Sequence, residues 1–250
     1  MTLKPEDFSR IYEMFGSAIS RRHDCGQFCA PLNGGTPVCC DTGNAIPVVD
    51  KAEWHLLKSR TDLWRRFKPF DAASREVVDD LASVCRAIEC KGAAFCEREN
   101  RSLACRAFPF FPYFTKQKEL VGLSYYWTFA DRCWVMSNLH IVEPRFVREL
   151  ITAYEYMFAR DDDERDAFIN QSVSIRRIFS RRRKSFPVIG REGEWFQVPP
   201  HSGGQLKPIT SSRYKAHAPF TSQSTYRAAI REAGGNPDTS PALPPREALP

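Results

Sequence analysis

No stretch of this 250-residue chain is apolar for long enough to span a bilayer, and its first residues, MTLKPEDFSR, lack the apolar core of a secretory signal. These absences lead us to expect a cytoplasmic protein with no membrane partner, in a compartment where thiols stay reduced. Enzyme fingerprints are missing too. There is no P-loop, no G-x-G-x-x-G after a strand and no G-x-S-x-G, so no motif marks a nucleotide site or an activated serine. The C-x3-C-x2-C spacing of radical S-adenosylmethionine enzymes is absent as well. No zinc finger, helix-turn-helix or RNP signature argues for nucleic acid. The run IRRIFSRRRK is basic, but a charge run of that kind is more often a solvated helix face or a partner-docking surface. We therefore expect a protein substrate or redox partner and no nucleic acid.

Charge is unevenly placed. Residues 171–250 carry 13 Lys/Arg against 5 Asp/Glu, whereas residues 1–170 carry 23 against 25, so the net charge of +6 belongs to the C-terminal part.

What the chain does have is cysteine. Of nine, Cys25, Cys29, Cys39 and Cys40 form one group, and Cys90, Cys96 and Cys105 form a second. An odd count leaves one thiol over in any all-disulfide scheme, and reduced, clustered cysteines more often bind metal. The vicinal pair Cys39–Cys40 is poor disulfide material, because adjacent cysteines close only a strained ring. In an extended segment the two side chains would point to opposite sides. Thiolates are soft ligands suited to zinc or to the irons of an Fe–S cluster, and the two groups suggest one site built from both ends or two neighbouring sites. Arg106, next to Cys105, is expected to lower nearby thiol pKa values. Cys133 is a further candidate ligand. With it the set is Cys25, Cys29, Cys39, Cys40, Cys90, Cys96, Cys105 and Cys133, enough for two four-thiolate sites. Cys85, on the apolar face of a predicted helix, reads as a small core residue.

The two groups together, CC, then a loop and helix, then C…C…CRAFPF (Cys105 to Phe110), resemble the YkgJ-type cysteine-cluster family, a zinc- or iron-chelating domain family that includes flagellin lysine N-methylase. The resemblance covers roughly residues 20 to 135. The first group departs from it, with C-x3-C-x9-CC where the family has C-x2-C-x2-CC. It implies metal binding, by an Fe–S cluster or iron with zinc as the alternative; a methyl-transfer role rests on the family name alone. The competing reading is a non-enzymatic zinc module that docks a partner through its basic helix.

Around the cysteines, periodicity predicts several elements. Phe8, Ile11, Tyr12, Phe15 and Ile19 share a helical face. Asp50 with Glu53 reads as a capping box opening a helix with Trp54, Leu57 and Trp64. Glu53 is also a candidate base near the cysteines, and His23 a candidate ligand, although capping and an exposed turn explain them as well. A helix is predicted from Ser74 to Ile88, a strand or hairpin over Leu120–Ala130, and helices after Pro144 and after DDDE. The FPFFPYF and SYYWTF aromatics read as core and turn packing more readily than as a pocket. The expected fold class is α+β, mainly helical. It comprises a small, loop-rich cysteine-cluster metal-binding domain over 1–135, a helical C-terminal extension with the basic helix over 136–198, and a largely disordered tail over 199–250.

Overall fold

A computed structural model describes residues 3–214 and 216–245. Helix α1 (Pro5–Met14) opens on a proline, whose fixed φ suits a first turn, and buries Phe8, Ile11 and Tyr12. It ends before Ile19, which packs against the core from the following loop. The short α2 (Gly26–Cys29) lies in the Gly-, Pro- and Asn-rich segment that carries the first cysteine group. Strand β1 (Val48–Asp50) then runs into α3 (Lys51–Arg60), and the Asp50 carboxylate accepts from Ala52 N at 2.5 Å as the N-cap. Glu53 does not close the expected capping box; its carboxylate is used elsewhere. Trp64 is not helical but begins β2 (Trp64–Arg66).

The helix predicted from Ser74 to Ile88 is short. It is α4 (Ala72–Asp79), and the rest of the segment becomes β3 (Cys85–Cys90). Asp79 and Asp80 lie at the negative end of the helix dipole, which disfavours extension. Cys85 to Cys90 is instead drawn into a three-stranded antiparallel sheet of order β1–β3–β2. Cys85 therefore sits half-buried at a strand start, not on a helix face.

After α5 (Leu103–Ala107), β5 (Leu120–Tyr125) falls in the segment expected as a strand or hairpin, but its hairpin partner is β4 (Phe110–Phe114), the aromatic run read as core and turn packing. Short α6 (Trp134–Ser137) is followed by α7 (Pro144–Phe158) and α8 (Asp162–Arg181), opened by Pro144 and by the Asp161 cap respectively. Then β6 (Phe186–Gly190), β7 (Trp195–Val198) and β8 (Lys207–Pro208) extend the hairpin into a five-stranded antiparallel sheet, β4–β5–β6–β7–β8.

This overturns the expected mainly helical architecture. The chain is α+β with two antiparallel sheets among the described residues, and the segment expected to be a helical extension supplies strands β6 and β7. Because β5 pairs with β6 through Gly122↔Gly190 and Leu123↔Ile189, the larger sheet spans the boundary expected at residue 135. Periodicity missed these strands because both faces of β6 are buried, which removes the alternation that marks a strand.

The basic helix α8 covers the edge strand β4. Ser172 Oγ accepts from Phe114 N at 3.0 Å, and Arg176 donates to Phe114 O at 2.5 Å and to the Tyr113 hydroxyl at 3.2 Å. A sheet edge otherwise left open is thereby satisfied. On the other side, Phe146 of α7 is fully buried between Phe15 (5.4 Å) and Phe110 (5.7 Å).

Within the segment read as a disordered tail, α9 (Gln223–Glu232) is capped by Ser222. It buries Tyr226 and Ile230, and the Tyr226 hydroxyl donates to Phe28 O at 2.9 Å in the cysteine loop. Few apolar residues suffice here because they complete a core the rest of the chain has already built. No helix among the described residues is long and apolar enough to cross a membrane.

Candidate metal centre

Three loops carry the thiols, and each is held by local chemistry. Cys25 leads into α2, and this loop lies against the second one closely enough that a Cβ on Gly26 would meet Pro37 Cγ at 3.1 Å. Cys39 and Cys40 sit in a 3₁₀ turn, Val38–Cys40, pinned by a polar network below it. There Asn33 Nδ2 donates to Asp41 Oδ2 at 3.1 Å, and Asn44 Nδ2 to the same oxygen at 2.8 Å. The backbone is not extended, so the two side chains do not diverge as expected, and their sulfurs lie 4.0 Å apart.

Cys90 ends β3, where Gly92 N donates to its sulfur at 3.4 Å; Gly92 has φ +108°, a conformation side chains disfavour. Cys96 follows a 3₁₀ turn and receives the Arg101 Nε–H at 3.0 Å. Cys105 lies in α5, whose N-cap Ser102 accepts from Cys105 N at 3.3 Å and is itself fully buried.

Cys25, Cys39, Cys40, Cys90, Cys96 and Cys105 all line one cavity of about 520 Å³, together with Arg101 and His23. His23 sets its ring edge-on to Trp134 at 5.6 Å, so it borders the thiols while packing on an aromatic. The two other predicted ligands do not reach the cavity. Cys29 donates to Gly26 O at 3.7 Å, and Cys133 is buried in the core beside Cys25 and Cys29.

The cation of the site is Arg101, which sequence reasoning passed over. It lies five residues from Cys96 across an irregular turn, a separation that matches no helical or strand period. Arg106, expected in that role, also lines the cavity but bonds no sulfur: its guanidinium donates to the backbone oxygens of Arg101, Phe15 and Glu99 at 2.9, 2.8 and 2.6 Å and stacks 4.2 Å over the Tyr12 ring. It clips the second cysteine loop onto α1. Glu53 is buried behind this clip, accepting from the Tyr12 hydroxyl and from Leu103 N, both at 2.5 Å. Burial pushes its carboxyl up to about 7 against those hydrogen bonds.

The thiols are not equivalent. Burial pushes Cys25 and Cys105 up to about 12. The hydrogen bond shared with Cys39 lowers Cys40 to about 7, against burial and with help from the Arg101 cation, while the same bond raises Cys39. Cys40 is thus the first thiol to ionise of those whose values are displaced.

Among the described residues, no group of three or more His, Cys, Asp and Glu is placed so that it could hold a metal ion as it stands. The donor chemistry nonetheless fits a thiolate-bound metal: six soft ligands, a guanidinium bonded to one of them with Arg98 and Arg106 also on the wall, and a backbone N–H aimed at a sulfur. The spacing is that of a cavity wall and not of a collapsed four-sulfur shell. No protein-family model, curated protein or solved structure matches the chain.

Proposed function

We propose that the chain is a cysteine-cluster metalloprotein that holds an Fe–S cluster through thiols drawn from Cys25, Cys39, Cys40, Cys90, Cys96 and Cys105. The observation that carries this reading is the convergence of six thiols from three loops on one cavity beside Arg101. A cavity of about 520 Å³ is roomy for one tetrahedral ion, which favours a multi-atom cluster over a single zinc. The resemblance of CRAFPF and the preceding cysteines to the YkgJ-type family supports the same reading. Such a cluster would supply one-electron transfer or substrate activation. The chain's own part is to keep Cys40 ionisable, to balance thiolate charge with Arg101 and to hold the loops through Ser102, Gly92 and the Asn33–Asp41–Asn44 network. The alternative is a zinc module docking through its basic helix, whose Arg181–Lys184 end is exposed while Ser172 and Arg176 hold the helix against β4.

The test is metal and acid-labile sulfide content, with a visible spectrum, on protein purified without oxygen. Iron with matching sulfide supports the proposal. Zinc without sulfide replaces it with the structural-module reading, and a protein free of both removes the metal centre altogether.

A further inference from the structure

A second cavity, of about 650 Å³, lies on the other side of Cys39 and Cys105, which line both. Its walls are largely apolar, with Phe108, Phe110, Phe129 and Phe168 among them. Phe70 and Val77, which also line it, are 62% and 40% exposed, unusual for large apolar side chains unless something covers them.

The charged groups lining this cavity are all of one sign: Asp50, Glu53, Asp71 and Glu164, with no Lys, Arg or His. Three of the four are accounted for. Asp50 caps α3, Glu53 binds Tyr12 and Leu103, and Asp71 caps α4 by accepting from Ser74 N at 2.7 Å. Glu164 is not. Its place in the first turn of α8 suits the helix dipole, but its carboxylate has no hydrogen-bond or ion-pair partner among the described residues. The charges bearing on it are Asp161, Asp50 and Asp163, and with burial they push its carboxyl up to about 7.

An independent observation points the same way. Tyr154 lines the cavity and is only 4% exposed, yet its hydroxyl makes no hydrogen bond among the described residues. Tyr126 also lines the cavity, again with an unbonded hydroxyl, and both rings lie within electrostatic reach of Glu164. Neither hydroxyl is among the sealed, unpartnered atoms of the described residues, so each is open to a partner that a ligand in the cavity brings. An ammonium group answers all three features at once: it neutralises the carboxylate, donates to tyrosine oxygens and is attracted to aromatic faces.

We propose that this cavity binds a small organic cation, an ammonium group carried on an apolar body, with Glu164 as its counter-ion and Tyr154 and Tyr126 as hydroxyl partners. The inference is independent of what the thiol cavity holds, although the shared wall would set such a ligand against Cys39 and Cys105.

Calorimetric titration of the full chain, as isolated, with three probes of one shape tests it: phenethylammonium, phenylethanol and phenylpropionate. The cation should saturate with a Kd of about 1 mM or tighter, and the neutral and anionic probes should bind at least about tenfold more weakly. Glu164→Gln should weaken phenethylammonium about tenfold while leaving phenylethanol within about twofold, and Tyr154→Phe should weaken the cation about threefold. Because Glu164→Gln removes repulsion among acids, its thermal midpoint by circular dichroism should equal or exceed that of the parent, which separates lost binding from lost folding. Absence of saturable cation binding, equal affinity for the anion, or a Glu164→Gln variant that folds and binds unchanged would each overturn the proposal.

Discussion

Glu53 offers the sharpest quantitative test of how the two sides of this molecule are joined. It is 3% exposed and ties three helices together, from α3 to the Tyr12 hydroxyl of α1 and to Leu103 N of α5. Its carboxyl rises from 4.5 to about 7 in the fold, chiefly through burial. The folded state then holds this proton more tightly than the unfolded chain, so Glu53's contribution to stability is full below pH 4.5 and is lost as pH rises through about 7. At about 1.4 kcal/mol per pH unit, the loss amounts to about 3 kcal/mol above pH 7. Glu53→Gln keeps an oxygen that can accept both hydrogen bonds but cannot ionise. In urea unfolding, the stability of Glu53→Gln relative to the parent should therefore rise by about 3 kcal/mol between pH 4.5 and pH 8. Glu164, whose carboxyl is also raised to about 7, is present in both proteins and cancels in the difference. Parallel pH profiles for the two proteins would refute the burial argument.

Other consequences can be checked separately. Cys105→Ala should lose metal in elemental analysis, whereas Cys85→Ala, whose thiol lies at the acidic end of the other cavity, should retain it. In metal-free protein, Arg101→Ala should shift the pH at which the fastest thiol alkylates upward from about 7 toward the ordinary cysteine range, measured as iodoacetamide rate against pH. An unmoved profile would remove Arg101 from the site. Phe146→Ala, emptying the space between Phe15 and Phe110, should cost about 3–5 kcal/mol in urea unfolding. Changing Arg181, Arg182 and Arg183 to Ala should leave metal content intact, since Arg182 stacks 4.0 Å over Trp127, away from the thiol cavity.

Clustering of reduced cysteines was legible from composition and spacing, and six of the eight predicted ligands do line one cavity. Cys29 and Cys133 could not be separated from the rest in this way, because burial in the core depends on neighbours distant in the chain. Arg106 was the obvious cation by adjacency, yet its guanidinium is taken up by the backbone oxygens of Arg101, Phe15 and Glu99, partners distant enough that no local pattern shows them. Arg101 is brought to Cys96 by a turn whose shape no local pattern announces.

Local pattern was enough for α1, α3, β5, α7 and α8, because their caps, periods and β-prone residues are properties of neighbours in the chain. Only the tertiary structure decided that β3 is a central strand, that residues 186–208 complete a sheet and that α9 packs onto Phe28. Each of those segments gains its stability from partners far away in the chain, so its own residues carry little trace of the state it adopts. The same reason hides the acidic cavity. Glu164, Tyr154 and Asp50 sit on three separate elements, and only their packing together sets a carboxylate and a tyrosine hydroxyl, neither bonded among the described residues, on one cavity wall.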